Sequence, residues 1–359
     1  MKLATYKVIG VMSGTSLDGL DLAYCHFFYQ NDQWAFELIE SKSISYSSEL
    51  ESKLKHAVNL TAEELLQFDV DYGAYLGNEI KNFIIDHSLE VDFIASHGHT
   101  VFHQPDKGFT LQIGSGQEVA LATNTKVISD FRTKDVAFGG QGAPLVPIGD
   151  QLLFGNYVAC LNLGGIANMS FIAGGKRVAF DIGMANMLLN HLANKKSLTY
   201  DQSGKIAASG SIDDELLQQL NSLSYFELPY PKSLGYEWFL SDVLPIMEKS
   251  ELSIEDKMAT SVEHEVLQIC KVLEKDVNNT GDVLITGGGA FNTHFINRMK
   301  ALSPAGFNII IPDAKTIEFK EAIVFALMGV LREREEPNCL KSVTGASIDV
   351  SGGEVFLPY

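Results

Sequence analysis

One pattern, two strands joined by a glycine-rich turn, occurs twice along the chain and constrains the fold more than any other feature. The first copy is VIGVMSGTSLDGLDLAYCHF at 8–27, followed by a third strand at 33–46. The second copy lies within 157–192, where the third strand ends at Asp181. Two α/β halves, each opened by a hairpin around a glycine turn, predict a duplicated fold with a nucleotide cleft between two domains.

Length and helical periodicity add detail to this organisation. Because 359 residues exceed what one core comfortably holds, we expect two domains, one at 1–130 with about 340–359 and one at 131–339. Thr61 and Glu64 match a capping box. VDFIASHGHT (91–100) is predicted as a short buried strand that ends in a polar loop, and 343–359 as irregular. Helices are predicted from apolar spacing at 61–88, 185–195, 212–222, 234–248, 256–277 and 319–335.

Charge and composition exclude several classes of partner. The net charge of −18 argues against nucleic acid and anionic membranes, because both need clustered Lys and Arg. The net charge does not exclude the binding of small anionic ligands, since one or two arginines can hold them. No apolar run is long enough to span a bilayer, and no signal-peptide segment is present. Four separated cysteines without a C-x-x-C indicate reduced thiols, so we expect a cytoplasmic protein.

The first glycine turn is rich in groups that can hold oxygen atoms. Its glycines allow close approach to bare backbone, and Ser13, Thr15 and Ser16 add hydroxyl donors. Such a turn suits phosphate. It is not a P-loop, because no Gly-Lys-Ser/Thr follows, and it does not match a nucleophile elbow. The alternative is a tight hairpin whose glycines serve only turn geometry, and the residues alone leave both interpretations open.

A second glycine-rich stretch, LITGGGAFN, joins an apolar strand to a helix. Gly287, Gly288 and Gly289 can bring bare backbone flush against a purine and its ribose. A Rossmann interpretation is weak, because Asn292 stands where G-x-G-x-x-G has its third glycine. The alternative is a strand-to-helix turn packed tightly for its own sake.

The stretches SHGHTVFHQ and ISDFRTKD carry candidate ligand contacts. His97, His99 and His103 lack the H-x-x-x-H spacing of a zinc site. We therefore favour one histidine in contact with a polar substrate and the others in structural roles. Arg132 is a candidate clamp for a carboxylate or phosphate, and the alternative is a pair with a neighbouring aspartate.

Two carboxylates complete the set of candidates. Asp181 in VAFDIGMANM suits a general base or a Mg²⁺ partner. Its alternative role is an N-cap for the helix starting at Ala185. Glu321, at the start of a predicted apolar helix, is either a first-turn partner of the helix dipole or a substrate contact.

These motifs resemble one family, the anhydro-N-acetylmuramic acid kinases, over nearly the whole chain. The pair MSGTSLDG and GGQGAPLVP is highly specific for it. The resemblance implies a duplicated actin-like ATPase (ribonuclease H-like) fold, as in actin, hexokinase and Hsp70. The motifs that carry it are GVMSGTSLDGLD (10–21), HGHT (97–100), LQIGSG (111–116), SDFRTKD (129–135), GGQGAPLVP (139–147), LNLGGIAN (161–168), FDIGMAN (180–186), YDQSGKIA (200–207), TGGGAFN (286–292), FKEAIVFA (319–326) and SVTGA (342–346).

The resemblance also implies an activity. Such kinases use ATP and Mg²⁺ to hydrolyse the 1,6-anhydro ring and phosphorylate O6, giving N-acetylmuramic acid 6-phosphate in cell-wall recycling. By motif, Asp181 would activate the water, and a homodimer is compatible with the resemblance. Implied ATP or phosphate contacts are Ser13, Gly14, Thr15, Ser16, Asp18, Asn162, Gly164, Gly165, Gly204, Gly287, Gly288, Gly289 and Asn292. Implied sugar contacts are His97, Thr100, Arg132, Asn186 and Glu321.

The chain departs from the usual family pattern near the implied sugar contacts. His99 replaces the glutamine of H-G-Q-T, and Leu234 and Tyr236 replace the threonine and arginine of K-S-T-G-R-E. In D-T-G-P-G-N, the threonine, proline and second glycine are replaced by Ile182, Met184 and Ala185. We expect a changed sugar-facing surface. The alternatives are a kinase of the same fold acting on a different sugar, and an actin-like ATP-binding switch without sugar chemistry.

Overall fold

The computed structural model describes residues 4–14, Leu17 and 19–359. They form two compact units, Met1–Leu153 with Phe319–Tyr359, and Phe154–Glu318. The strands are β1 Ala4–Ser13, β2 Leu20–Gln30, β3 Gln33–Ile44, β4 Phe93–Gln104, β5 Phe109–Ile113, β6 Val127–Ser129, β7 Ala159–Leu163, β8 Ile166–Ala173, β9 Lys176–Met184, β10 Gly281–Thr286, β11 Phe307–Ile310 and β12 Glu354–Phe356. The helices are α1 Ser48–His56, α2 Ala62–Asp86, α3 Gly116–Thr123, α4 Thr133–Ala137, α5 Pro147–Leu152, α6 Asn186–Asn194, α7 Lys205–Ser209, α8 Asp214–Asn221, α9 Tyr236–Trp238, α10 Leu244–Lys249, α11 Ile254–Asp276, α12 Thr293–Leu302, α13 Ala314–Glu333 and α14 Lys341–Thr344. Across these described residues, no helix is both long and apolar enough to cross a membrane.

The two sheets share one strand order. In the first unit it is β3-β2-β1-β4-β6, with β12 beside β6 and β5 paired to β4. In the second unit it is β9-β8-β7-β10-β11. In each sheet the first three strands are antiparallel, and the next two run parallel to the first. The duplicated actin-like α/β fold predicted from the sequence is therefore confirmed.

Helices cover both faces of the first sheet. Alternate residues of β1 face opposite cores: Val8 packs with α13, and Ile9 packs with α2. Gly10 lets α13 approach the backbone of β1 closely, because a Cβ atom at this position would lie 1.9 Å from the Ala322 carbonyl oxygen. The helix α13 thus rests directly on the backbone of β1.

The position of α13 moves the unit boundaries away from the predicted ones. The sequence predicts boundaries near 130 and 340, whereas the units divide after Leu153 and after Glu318. Phe131, Ile148 and Phe325 all belong to the core of the first sheet. Apolar burial against that sheet therefore holds 131–153 and 319–339 in the first unit.

Several predicted elements are confirmed and others differ. The helix at 61–88 is α2, and Thr61 and Glu64 form the expected capping box. The four cysteines are buried, and none of them forms a disulfide bond in the described part of the chain. The predicted polar loop after β4 is wrong, because HGHT stays in the strand and pairs with β5. The C-terminal 343–359 is not wholly irregular, since it contributes β12 to the first sheet.

Helix α11 buries a carboxyl group in the second unit. Glu265 is 3% exposed, and neither of its carboxyl oxygens has a hydrogen-bond partner among the described residues. Burial raises the pKa of Glu265 well above its ordinary value. The folded protein therefore holds a proton there that the unfolded chain releases above about pH 4.3, so this site loses stability as pH rises.

Replacing Glu265 by Leu is expected to stabilise the protein. The change removes an unpaired buried polar group, worth about 1–3 kcal/mol. The urea midpoints of the wild type and of Glu265→Leu, measured at pH 6 and pH 8, check this. We expect the variant to be more stable at both values, by a wider margin at pH 8. A variant less stable at both values would contradict the account.

Candidate active site

The carboxyl ends of β7 and β10 bring the second unit's glycine turns together. The two strands are parallel neighbours, with Asn162 paired to Thr286, so the turns that follow them meet at one edge of the sheet. Gly287 has φ +81°, and a Cβ atom there would lie 2.5 Å from Asn162 Oδ1. Bare backbone is required at Gly287.

Gly204 and Asn292 adjoin this group. Gly204 has φ +71°, and a Cβ atom there would lie 2.1 Å from Asn292 Oδ1. The same Oδ1 accepts from Phe295 N at 3.0 Å and so caps α12. A cavity of about 60 Å³ is lined by Gly288 and Asn292, among others. The predicted ATP residues of the second unit, Asn162, Gly164, Gly165, Gly204, Gly287, Gly288, Gly289 and Asn292, therefore cluster at these turns.

Asn186, predicted to contact the sugar, lies beside this cluster of glycine turns. Its Nδ2 donates to the Leu163 carbonyl at 2.9 Å, and its backbone N donates to the Gly164 carbonyl at 3.1 Å. It also lines the cavity beside Gly288. As the first residue of α6, Asn186 is anchored to the turn between β7 and β8, and its contact with the sugar stays a prediction.

The first hairpin is described in part. Thr15, Ser16 and Asp18, predicted to hold phosphate, lie outside the described residues. Gly14 is described, and its carbonyl accepts from Leu17 N at 3.3 Å across the turn. The prediction for Gly14 as a phosphate contact stays a prediction.

Ser13 is predicted to contact phosphate, but its hydroxyl points elsewhere. Its side chain is buried, with 1% of the residue exposed. Tyr46 OH and Tyr72 OH donate to Ser13 Oγ, and His99 Nδ1 lies 3.2 Å from it. Because the hydroxyl is enclosed by these partners, the assignment of the Ser13 side chain to phosphate is corrected.

Arg132 and His97 form a defined pair in the first unit. Arg132 Nε donates to His97 Nε2 at 3.0 Å, and Nη1 donates to the Gly142 carbonyl at 2.6 Å. Since Nε2 accepts, the His97 proton resides on Nδ1, which donates to the Gly98 carbonyl at 2.9 Å. Burial, with the Arg132 charge, lowers the pKa of His97 well below its ordinary value. The ring is neutral and orients Arg132.

The other two histidines make different contacts. Gly98, at φ +73°, interrupts the regular alternation of β4. His97 consequently packs on Phe325 of α13, whereas His99 reaches Ser13. The ring of His103 lies 3.1 Å from Thr110 Oγ1. Of the three histidines, His97 is the one beside Arg132.

Glu321 lies within electrostatic range of Arg132. Because α13 begins at Ala314, Glu321 lies inside the helix, and the first-turn alternative is wrong. Desolvation raises the pKa of Glu321, whereas the charges of Arg132 and Lys320 lower it. The residue remains solvent-exposed. Thr100, also predicted to bind sugar, accepts from Gln112 Nε2 at 3.3 Å.

Asp181 lies within β9 and is held from two sides. Its Oδ2 accepts from Leu234 N at 2.8 Å, and its carbonyl accepts from Tyr225 OH at 2.6 Å. Burial raises the pKa of Asp181, and the Leu234 hydrogen bond opposes this. The N-cap alternative is wrong, because α6 begins at Asn186 with Ala185 as its cap residue. A fixed carboxylate with a raised pKa suits a general base.

The departures from the family pattern fall mostly away from any accessible surface. Ile182, Met184 and Ala185 are 2%, 3% and 2% exposed and belong to the core of the second unit. The expectation of a changed sugar-facing surface is therefore wrong for Met184 and Ala185, whereas Ile182 also lines a cavity of about 260 Å³ beside Lys232. Leu234 contributes its backbone N–H to Asp181, which most residue types could supply. Tyr236 is exposed.

Sequence reasoning missed two tyrosines, Tyr225 beside Asp181 and Tyr72 beside Ser13. Tyr225 sits in a short 3₁₀ turn without a motif, so no pattern marks it. Tyr72 had a signal: Phe68, Tyr72 and Leu76 are spaced four residues apart on α2 and all are buried. The hydroxyl of Tyr72, however, finds its partner only through the tertiary fold.

Comparisons with known proteins place the chain among one group of enzymes. The family model "Anhydro-N-acetylmuramic acid kinase" matches residues 6–358. A protein of that name from Shewanella baltica (strain OS223) is 37% identical, over 98% of this chain and 99% of that protein. Another, from Shewanella sp. (strain MR-4), is 36% identical, over 96% of this chain and 97% of that protein.

The solved structures that match are less similar to this chain. Component A of the Acidaminococcus fermentans (R)-2-hydroxyglutaryl-CoA dehydratase is 12% identical with a TM-score of 0.44, covering 90% of this chain and 96% of that one. The ROK hexokinase from Thermus thermophilus is 11% identical with a TM-score of 0.40, covering 90% and 99%. The fold assignment rests on strand order rather than on these two structures.

Proposed function

The chain belongs to the anhydro-N-acetylmuramic acid kinase family, and we propose that it hydrolyses the 1,6-anhydro ring of anhydro-N-acetylmuramic acid and phosphorylates O6 with ATP. The product is N-acetylmuramic acid 6-phosphate. The observation that carries the proposal is the Asp181 carboxylate, which Leu234 N holds at 2.8 Å and burial makes more basic. The ATP-dependent chemistry supports a cytoplasmic location, and a homodimer stays a prediction.

Asp181 acts as the general base in this reaction. Its carboxylate takes a proton from water while the water oxygen attacks the anomeric carbon. The bond between that carbon and O6 breaks, and its electron pair goes to O6. O6 then attacks the γ-phosphorus, and the bond to the bridging oxygen breaks to release ADP. Leu234 N leaves the second carboxylate oxygen, Oδ1, for the water.

Arg132, His97 and Glu321 recognise the sugar. N-acetylmuramic acid carries a carboxylate, for which a guanidinium is the preferred partner. His97 and the Gly142 carbonyl engage Nε and Nη1 of Arg132, so Nη2 is the nitrogen that would bind the ligand carboxylate. The exposed Glu321 carboxylate accepts from sugar hydroxyls.

The glycine turns hold ATP. Bare backbone at Gly287, Gly288 and Gly289 lies against the adenosine, and Asn162 with Gly164 contacts phosphate. Mg²⁺ would be held mainly by the phosphates of ATP and by water, the ligands that this hard ion prefers. When bound, Mg²⁺ offsets the phosphate charge.

Product analysis in ¹⁸O-labelled water tests this function. We expect a sugar phosphate with one ¹⁸O at C1 and none in the phosphoryl group, because water attacks the sugar and O6 attacks ATP. A panel of other sugars serves as the comparison. Faster phosphorylation of another sugar would favour the different-substrate alternative. Label appearing only in inorganic phosphate would favour an ATP-binding switch.

A further inference from the structure

Polar side chains from three other segments converge on Ser13, the last residue of β1. Tyr46 OH donates to Ser13 Oγ at 2.8 Å, and Tyr72 OH donates to it at 2.9 Å. Ser13 Oγ also lies 3.2 Å from His99 Nδ1. Tyr46 follows β3, Tyr72 lies on α2, and His99 lies on β4. We call Ser13, Tyr46, Tyr72 and His99 the Ser13 cluster.

Donors and acceptors in the Ser13 cluster are matched. A serine hydroxyl offers one proton and two lone pairs. Tyr46 OH and Tyr72 OH also lie 2.9 Å from each other, so the three hydroxyls share their protons within the Ser13 cluster, and His99 Nδ1 is the acceptor at its end. His99 must then be neutral, and burial lowers the pKa of His99 to about 4, which keeps it neutral near pH 7.

The Ser13 cluster is buried although apolar side chains could fill the same space. Ser13 and Tyr72 are each 1% exposed, and His99 is 4% exposed. Buried polar groups are costly unless each finds a partner. What hydrogen bonds add over apolar packing is direction, because each one fixes an atom at a defined distance and angle. Here they fix Ser13 relative to α2 and β4.

Ser13 is followed directly by the glycine turn. Gly14 begins that turn, and its carbonyl accepts from Leu17 N at 3.3 Å. We propose that Tyr46, Tyr72 and His99 are positioning residues, which set the backbone at Gly14 through Ser13 so that the turn is aligned for phosphate. This role rests on the proposed function, since ATP is the ligand of the turn. None of the three residues contacts the nucleotide itself.

Titration of the protein with Mg²⁺-ATP tests the positioning role. His99→Leu removes the acceptor, and Tyr72→Phe removes a donor. We expect each variant to bind Mg²⁺-ATP more weakly by about tenfold or more, with KM for the sugar unchanged. His99→Gln restores an acceptor and should bind within about twofold of wild type. Tyr75→Phe is the control, because Tyr75 stacks on Tyr72 but lies outside the Ser13 cluster.

Melting temperatures and Mg²⁺-ATP affinities together distinguish a positioning role from a merely structural one. Melting temperatures are measured alongside, and if His99→Leu fails to fold, the half-buried Tyr46→Phe takes its place. Wild-type affinity for Mg²⁺-ATP in His99→Leu and Tyr72→Phe would overturn the positioning role, whatever their melting temperatures. Loss of affinity in His99→Gln equal to that in His99→Leu would also overturn it. If the wild type bound no Mg²⁺-ATP, the kinase assignment would fail first.

Discussion

Asp181→Asn is expected to lower kcat by about 10²–10⁴ while leaving the binding of ATP and sugar nearly unchanged. The amide keeps the shape of the side chain and can still accept from Leu234 N, so the local fold is retained. It cannot take the proton from water. Steady-state kinetics with both substrates varied measure the effect. Asp282→Asn, at an exposed position of β10 in the same unit, is the matched control and should retain wild-type kcat.

The pH dependence of the wild type follows from the same carboxylate. Burial raises the pKa of Asp181, and only the ionised form acts as a base. We therefore expect kcat to fall as pH drops through a value above the usual aspartate pKa of about 3.9. Near-normal turnover in Asp181→Asn would remove Asp181 from the mechanism.

Gly287→Ala is expected to weaken ATP binding by about 100-fold. A Cβ atom at this position would lie 2.5 Å from Asn162 Oδ1 and 2.8 Å from the Leu163 carbonyl carbon. Both belong to the end of β7, so the strand and its turn must move to admit the methyl group. The φ of +81° adds backbone strain for a non-glycine residue. Calorimetric titration with Mg²⁺-ATP measures the loss.

Gly175→Ala is a control that separates the effect of backbone strain from that of a steric clash of the added methyl group. Gly175 has φ +76°, close to that of Gly287, but nothing lies within 4 Å of its Cβ position. It sits in the turn between β8 and β9, so its substitution should cost stability without changing ATP affinity. Equal ATP affinity in the two variants would show that the space beside Asn162 plays no part in nucleotide binding.

Features set by nearby residues could be predicted from the sequence. The capping box of Thr61 and Glu64 and the apolar spacing of α2 are local, so its start and type follow from pattern alone. The hairpin repeat predicted a duplicated fold, which the shared strand order of the two sheets confirms.

Other features depend on contacts between distant segments. Glu321 looked like a helix start, yet α13 begins at Ala314, because the buried Ile317 and Phe319 extend its apolar face toward the N-terminus. Ser13 reads as a phosphate donor in the motif, but its partners come from α2 and β4. Pattern reasoning cannot locate such partners, since their spacing along the chain carries no period.

The replacements near the implied sugar contacts were harder to interpret from the sequence than the motif matches. The replacements at Ile182 and Met184 look like changes to a binding surface, whereas both side chains are buried in the core. The side of β9 that each residue faces decides this. Asp181 precedes both residues in sequence, and its hydrogen bonds from Leu234 N and Tyr225 OH do not involve their side chains.

The most direct test of the central claim is ADP release by the purified protein with Mg²⁺-ATP, with and without 1,6-anhydro-N-acetylmuramic acid. The account predicts slow release without the sugar and strong stimulation when it is added. Stimulation would show that the sites around Asp181 and Arg132 still act on this sugar despite the departures at Leu234 and Tyr236. Bound ATP with no stimulation would contradict the proposed function.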